Sequence, residues 1–219
     1  MTETYQAEGN EFAPKRKPPQ LHKYSLSKPA RGQTHMIIFV AGVFGAGKTT
    51  LCALLAEELG YATTSASVLI RQRRGRVTWN NSKETYDIHA NQKLLVESVN
   101  ELRNYNKNFI LDGHFALLDS EGYATKVSHD VFYDLNLDAI LLIEDDPANI
   151  ALRLNVRDAA RWSSTTVEAL MTAERENALA FHRASSIPLK VYHNTLHAEI
   201  LTYLTGLKSQ KYDPRIKED

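Results

Sequence analysis

Cysteine is almost absent from this sequence. Cys52 is the only one among 219 residues, so no disulfide can form within the chain. The sequence also lacks any apolar run near the roughly 18 residues that cross a bilayer, and no apolar signal core stands near its N-terminus. We therefore expect no membrane insertion and no secretion, and a lone thiol fits the reducing cytoplasm.

An excess of charge of either sign is also lacking. Lys and Arg number 26, as do Asp and Glu, so the formal net charge is zero. A uniformly basic nucleic-acid coat is therefore not expected, although a local basic site remains open. Hydrophobic residues make up 43% and charged residues 24%, which is ordinary for a soluble globular protein of one domain.

The two ends of the chain differ from its middle. Residues 1–35 hold six basic residues and four of the seven prolines, and few of them could build a core. We predict a flexible tail there, and a second polar tail over 208–219, on either side of a folded domain at 36–207. The basic cluster at 14–19 is either a contact for nucleic acid or an acidic protein, or a solvated leader.

Strand and helix patterns alternate through the middle of the chain. Short apolar runs predict strands at 36–41, 61–64, 109–111, 139–143 and 189–192. Helical periodicity predicts helices at 49–59, 83–104, 165–181 and 195–204, with another that begins at Pro147 behind an Asp146 cap. This alternation predicts an α/β fold of three layers, in which a five-stranded parallel sheet carries helices on both faces.

A glycine-rich segment follows the first predicted strand. Residues 42–49 read Gly-Val-Phe-Gly-Ala-Gly-Lys-Thr, which satisfies the pattern G-x-x-x-x-G-K-[ST] between a strand and a helix. Such a loop turns its N–H groups toward a polyphosphate, at a helix N-terminus that favours anions. The predicted nucleotide-binding residues are Gly42, Gly45, Ala46, Gly47, Lys48, Thr49 and Thr50. We interpret this segment as the P-loop of an NTPase fold.

A carboxylate ends the third predicted strand. Asp112 stands where a carboxylate can share Mg²⁺ with the Thr49 hydroxyl, although an Asp before Gly113 can also serve only the turn. His114 follows, and it is either a substrate contact or a packed structural histidine. Mg²⁺ is accordingly a predicted cofactor, with Thr49 and Asp112 as its protein ligands.

Together these segments resemble the adenylate-kinase-like nucleoside monophosphate kinases, above all the archaeal-type adenylate kinases. The resemblance covers most of residues 36–205 and is strongest over 42–50. It extends to 65–71, which is similar to the acceptor-binding segment, and to 110–114, which is similar to the stretch after the third strand. In the bacterial branch an arginine follows that stretch, whereas this chain has Ala116.

The resemblance implies a kinase that uses ATP and Mg²⁺ and has a small helical lid at about 153–165. Ser65, Arg71, Gly113 and His114 would then bind the acceptor nucleotide, and Arg153 would bind ATP. Lys48 and the arginines Arg157, Arg161 and Arg175 would be the catalytic residues around the transferred group.

The spacing of the arginines agrees with a phosphate site. Arg153, Arg157 and Arg161 recur every four residues and would share one face of a helix, where they repel each other unless an anion binds. A solvated basic face is the open alternative. Arg175 lies within Glu174-Arg175-Glu176, where it could form a plain surface ion pair.

An unusual basic run lies between 71 and 76. It has four arginines in six residues, with Trp79 close behind, which is more than one acceptor phosphate needs. The surplus suits a nucleic-acid end stacked on Trp79, or a mobile basic loop. Two functions therefore stay open: a nucleoside monophosphate kinase, and a P-loop ATPase or kinase that acts on or is regulated by nucleic acid.

Overall fold

A computed structural model describes residues 36–75, 83, 85, 87–105, 108–158, 161–193 and 197–211. The predicted tail at 1–35 and its basic cluster lie outside these residues, as do Arg76 and Trp79. The remainder forms one α/β unit around a parallel sheet, in agreement with the fold predicted from the sequence.

The sheet has five parallel strands in the order β2-β3-β1-β6-β7. Their bounds are β1 Met36–Ala41, β2 Ala62–Ser65, β3 Asn108–Asp112, β6 Ala139–Glu144 and β7 Leu189–His193. A separate antiparallel hairpin joins β4 Ala116–Leu118 to β5 Ala124–Lys126. The sequence did not predict this hairpin, because its strands have only three residues each and show no extended alternation.

Helices cover both faces of the sheet. Their bounds are α1 Lys48–Leu59, α2 Ala66–Arg74, α3 Ile88–Tyr105, α4 His129–Asp134, α5 Pro147–Asp158, α6 Ser164–Ser185 and α7 His197–Lys211. None of these helices, within the ranges described, is long and apolar enough to cross a membrane.

The central strand β1 explains why both faces must be covered. Its side chains alternate, so that Ile38 and Val40 join one buried cluster while Ile37 and Phe39 join the other. Helices α1, α5 and α7 contribute to the first cluster, and helices α2, α3 and α4 contribute to the second. A continuous apolar run is therefore the right pattern for this strand.

Several predicted helix ends differ from the observed ones. The helix predicted from residue 83 begins at Ile88, because Lys83 and Asp87 have φ values of 62° and 54° that no α-helix accommodates. Helix α6 begins at Ser164, one residue before its predicted start, because the hydroxyl of the cap residue Ser163 accepts from the Thr166 N–H at 3.0 Å. Helix α7 runs to Lys211, past the predicted end at residue 204.

Gly113 leads from the sheet edge into the next loop under a packed aromatic ring. A Cβ atom there would lie 2.5 Å from Cε2 of Phe39, which is buried between Phe115 and Phe132. We expect Gly113→Ala to lower the free energy of unfolding by about 1–3 kcal/mol, the usual cost of overpacking.

Urea unfolding measures this loss, and Gly206→Ala is its control. Gly206 lies inside α7, and a Cβ atom there would meet nothing within 4 Å. The gain in helix propensity should therefore stabilise this variant by up to about 1 kcal/mol. Equal stability of the two variants would contradict the packing described for Gly113.

Candidate active site

The carboxyl edge of the sheet brings two loops together. In the parallel pairing of β1 with β3, Val40 lies opposite Asp112. The glycine-rich segment at 42–47, here called the phosphate loop, therefore starts beside the loop that follows β3. Ligands of such sheets bind beyond the carboxyl ends of the strands, so this edge is where a site is expected.

Gly42 begins the phosphate loop in a conformation that only glycine accepts. Its φ is +140°, and a Cβ atom would lie 2.4 Å from the carbonyl oxygen of Ile143 on the neighbouring strand. Its N–H donates to Oε1 of Glu174 at 2.8 Å. The start of the loop is thus held by β6 on one side and by α6 on the other.

Lys48 is buried beneath the loop, with 6% of its surface exposed. Its Nζ donates to the carbonyl oxygens of Gly42 at 2.8 Å and Val43 at 3.0 Å. It also lies 3.7 Å from Oδ1 of Asp112. The ammonium group therefore has protein partners that phosphate oxygens would replace.

Thr49 and Asp112 meet directly, as the sequence predicts. The Thr49 hydroxyl donates to Oδ2 of Asp112 at 2.8 Å. A hydroxyl and a carboxylate are hard oxygen ligands that fit Mg²⁺, which takes its remaining ligands from water and phosphates. The described residues contain no group of three or more His, Cys, Asp or Glu side chains that could hold a metal.

His114 is both packed and close to the site. Its ring lies 4.3 Å from that of Phe44, centroid to centroid. Burial, followed by the nearby charge of Lys48, lowers the pKa of His114 well below its usual value. The imidazole is therefore neutral at physiological pH. It also lines the cleft, so the two roles left open by the sequence are compatible.

A cleft of about 460 Å³ runs from the phosphate loop to helices α2 and α3. The predicted site residues that line it are Gly45, Gly47, Lys48, Thr49, Thr50, Ser65, Asp112, Gly113, His114, Arg153 and Arg157. Ser65 also caps α2, since its hydroxyl accepts from the Val68 N–H at 3.2 Å. The far end adds neutral polar and apolar side chains: Ser67, Ile70, Thr85, Asn91, Gln92 and Leu95.

The predicted lid arginines divide into two kinds. Arg153 and Arg157 lie on α5 and line the cleft, but α5 ends at Asp158, so Arg161 does not share their helical face. Arg153 donates from Nε to the Gly45 carbonyl oxygen at 3.0 Å and from Nη2 to Asp145 at 2.6 Å. Two of the three arginines thus reach the site from the same helix.

Asp158 pairs with two of the cations that line the cleft. The Arg157 guanidinium donates to its two oxygens, each at 2.7 Å. Lys83, which the sequence did not single out, lies 3.6 Å from Oδ1 of Asp158 and also lines the cleft. Both hydrogen bonds and charge from Arg157 lower the pKa of Asp158, so this carboxylate stays ionised.

Arg175 lies outside the cleft lining. Its guanidinium donates to both oxygens of Glu144 at the end of β6, at 2.8 Å and 2.5 Å. It is therefore in an ion pair, although with a distant carboxylate and not with the adjacent Glu174 or Glu176. This position gives no support to the predicted catalytic role of Arg175.

The basic run on α2 is mostly neutralised. Arg73 pairs with Glu101 at 2.5 Å, and Arg74 pairs with Asp87 at 2.9 Å. Arg71 is exposed and, among the residues described, has no carboxylate within ion-pair distance. It lies one helical turn beyond Ser67, on the same face of α2 but outside the cleft lining.

Sequence reasoning missed Glu174, which it treated only as part of a charged surface run. The side chain is 1% exposed and accepts from the N–H groups of Gly42 and Ala116. A signal was present, because Val167, Leu170, Glu174, Ala178 and Phe181 follow helical spacing, and the other four are apolar. A glutamate on the apolar face of a helix points to a buried partner.

Comparison with known proteins agrees with this geometry. Residues 41–170, more than half of the chain, match a protein family described as an AAA domain. An adenylate kinase of Thermoplasma volcanium is 27% identical over 167 residues, 71% of this chain and 88% of that protein. A UMP-CMP kinase 3 of Arabidopsis thaliana is 34% identical over 90 residues, 37% of this chain and 44% of its own length.

Solved structures share the fold at low sequence identity. A shikimate kinase from Acinetobacter baumannii in complex with shikimate superposes with a TM-score of 0.53 at 15% identity, covering 82% of this chain and 96% of that chain. The match to the AAA-domain family includes both the phosphate loop and the loop after β3. We conclude that the chain belongs to this family and is a P-loop kinase.

Proposed function

We propose that this kinase transfers the γ-phosphoryl group of ATP to a nucleoside monophosphate. The observation that carries the proposal is one cleft that runs from the phosphate loop to helix α2, with an arginine of α2 just beyond its far end. The phosphate loop and Lys48 lie at one end. Arg71, which has no carboxylate within ion-pair distance in the described part of the chain, lies one turn beyond the cleft residue Ser67 at the other end. A donor and an acceptor bound there would face each other across Asp112.

The donor end suits a triphosphate. The loop amides and Lys48 would hold its β- and γ-phosphates, and Thr49 with Asp112 would hold Mg²⁺. When bound, the ion would neutralise negative charge on the phosphates during transfer of the phosphoryl group. Arg153 would bind the same phosphates, since it already reaches the loop at Gly45.

The acceptor end suits one phosphate. The sequence offered surplus arginines that could bind a nucleic-acid strand, but Arg73 and Arg74 have Glu101 and Asp87 as partners. Arg71 would be the only arginine of this helix available to an acceptor phosphate. Ser65 and His114 line the cleft and would contact the rest of the acceptor. The resemblance to the adenylate kinase and the UMP-CMP kinase supports the same acceptor class.

A second acceptor class has one observation in its favour. The far end of the cleft is lined by neutral polar groups such as Ser67, Thr85 and Gln92, while Arg71 lies outside the lining. Neutral groups of this kind suit a small hydroxylated molecule without a phosphate. The catalytic groups at the donor end would be the same for both acceptors.

Catalysis would consist of positioning and charge stabilisation, with no covalent intermediate. Arg157 would leave Asp158 and bind the moving phosphoryl group as negative charge spreads over it. We propose that a lid at about 153–165, which begins within the second half of α5, excludes water before transfer.

The direct test is incubation with ATP and Mg²⁺ against a panel of nucleoside monophosphates, hydroxylated small molecules and oligonucleotides. Formation of a nucleoside diphosphate from the acceptor supports the proposal. A phosphorylated hydroxyl compound supports the second acceptor class. ADP with free phosphate and no phosphorylated acceptor would contradict both, and would point to an ATPase.

Removal of the Lys48 ammonium should abolish most transfer without unfolding the protein. We expect Lys48→Ala to lower the rate by about 10²–10³, the usual effect of losing one group that stabilises developing charge. Transfer rate and thermal unfolding should be measured together. Lys126→Ala, which removes an exposed lysine paired with Glu176, is the control that should stay near wild type. Retention of more than half the activity in Lys48→Ala would refute this role.

Two neighbouring arginines on α2 should behave differently. Arg71→Ala should raise the acceptor KM roughly 10- to 100-fold, because a charged hydrogen bond to the acceptor phosphate is lost. Arg73→Ala is the matched control, since it removes an arginine that is held by Glu101. Steady-state kinetics with the preferred monophosphate would show the difference. An unchanged acceptor KM in Arg71→Ala would remove residues 65–71 from the acceptor site.

Arg157 should act mainly in the transition state. We expect Arg157→Ala to lower kcat by about 10² with little change in either KM, because its contact strengthens as charge develops. The same kinetic assay checks this, with Arg183→Ala, an exposed arginine in the last turn of α6, as the control. A rise in KM with kcat intact would instead assign Arg157 to ground-state binding.

A further inference from the structure

Glu174 holds two loops of the site with one carboxylate. It projects from α6 and is 1% exposed. Its Oε1 accepts from the Gly42 N–H at 2.8 Å, and its Oε2 accepts from the Ala116 N–H at 2.5 Å. Gly42 begins the phosphate loop, and Ala116 ends the loop after β3.

Both contacts lie next to groups that the proposed transfer needs. The carbonyl oxygen of Gly42 accepts from Lys48 Nζ at 2.8 Å, so Glu174 and Lys48 hold opposite sides of the same residue. Ala116 follows Asp112 by only four positions. The two loops meet a second time through the hydrogen bond between Thr49 and Asp112. Glu174 on α6 therefore links the two loops a second time, through its hydrogen bonds with Gly42 and Ala116.

The chemistry of the contact requires a carboxylate. Two backbone N–H groups face two separate oxygens, and an ionised glutamate is an acceptor at both. A glutamine would present an NH₂ group to one of these N–H groups, leaving a donor facing a donor. Burial disfavours the charge and raises the pKa of Glu174 to about 7, against the opposing effect of its backbone hydrogen bonds and Lys48. A purely structural contact could be made at lower cost by neutral groups.

We propose that Glu174 is a positioning residue for phosphoryl transfer. Its two oxygens set the separation of the phosphate loop and the loop after β3, and thereby align Lys48 with Asp112. This inference rests on the proposed phosphotransferase activity, but it does not depend on which acceptor is used.

The experiment compares three variants of the full chain. Glu174→Gln removes one acceptor oxygen, and Glu174→Asp keeps the carboxylate on a shorter arm. Glu176→Gln is the matched control, because Glu176 lies on the same helix and pairs at the surface with Lys126. The readouts are kcat, the KM for ATP and for the acceptor, the dissociation constant of MgATP and the temperature of unfolding.

Misalignment should appear in kcat more than in binding. We expect Glu174→Gln to lower kcat about 10- to 100-fold, in line with one unsatisfied buried donor. Both KM values and the MgATP dissociation constant should change less than about threefold, because the alignment matters mainly in the transition state and little for ground-state binding. Glu174→Asp should recover part of kcat, and Glu176→Gln should match wild type.

The pH profile separates positioning from simple support. Below about pH 7 a proton occupies one Glu174 oxygen, which then faces a backbone N–H, so wild-type kcat should fall as the pH drops through this value. Glu174→Gln should lack this fall. The charged group that acts on Glu174 from a neighbouring element is Lys48, and His114 in the adjoining loop is neutral here. On its own helix, Arg175 and Glu176 are paired with Glu144 and Lys126.

Stability should move in the opposite direction to activity. The pKa of about 7 in the folded chain lies above the value of 4.5 for a free glutamate, so folding takes up a proton between these values. The contribution of Glu174 to stability is therefore largest at low pH and declines as the pH rises toward 7. Unfolding of wild type and Glu174→Gln at pH 5 and pH 8 measures this difference.

Two outcomes would overturn the inference. In the first, Glu174→Gln loses only unfolding temperature, while kcat per folded molecule and its pH profile match wild type. In the second, Glu174→Asp folds and behaves as wild type at every pH, which would also decide the matter if Glu174→Gln does not fold. If the wild-type chain phosphorylates no acceptor, the proposed function fails by itself, and ATP hydrolysis with the same variants still tests the alignment of Lys48 and Asp112.

Discussion

The hydrogen bond between Thr49 and Asp112 is the contact on which the site depends. It joins the first residues of α1 to the last residue of β3, at 2.8 Å, and it exists because β1 and β3 are parallel neighbours in register. Parallel pairing sets the ends of both strands at the same edge. The cleft, the buried lysine and the predicted Mg²⁺ ligands are all consequences of that edge.

The cations that line the cleft share one property, which is that each has partners within the protein. Lys48 is bound to loop carbonyls, Arg153 to Gly45 and Asp145, and Arg157 to Asp158. Phosphate groups would therefore exchange these partners and would not meet bare charges. The carboxylates of Asp145 and Asp158 offset the repulsion that the four-residue spacing of Arg153 and Arg157 implies. In the proposed reaction, Arg157 would exchange Asp158 for the transferred phosphoryl group when the lid closes.

Local patterns were enough to predict much of this arrangement. The apolar run before Gly42 and the glycines that follow predict β1, the phosphate loop and the start of α1. Asp146 caps α5, as predicted, by accepting from the Ala148 N–H at 2.8 Å. The start of α3 was predicted wrongly, because the left-handed residues Lys83 and Asp87 carry no local signature. The helical spacing around Glu174 indicates its burial, but its partners Gly42 and Ala116, like the Asp87 partner of Arg74, lie in other segments that a local pattern does not identify. The roles of the site residues as ligands and catalysts stay predictions.

In the proposed reaction, the donor and acceptor phosphates lie toward opposite ends of one cleft. A dinucleoside polyphosphate, in which two nucleosides are joined by five phosphates, would span both ends at once. Isothermal titration should find it bound at least about tenfold more tightly than ATP, because one ligand then gains both sets of contacts. Arg71→Ala and Lys48→Ala should each remove that advantage, while Arg73→Ala should keep it. Binding no tighter than that of ATP, or an advantage that survives Arg71→Ala, would contradict the account.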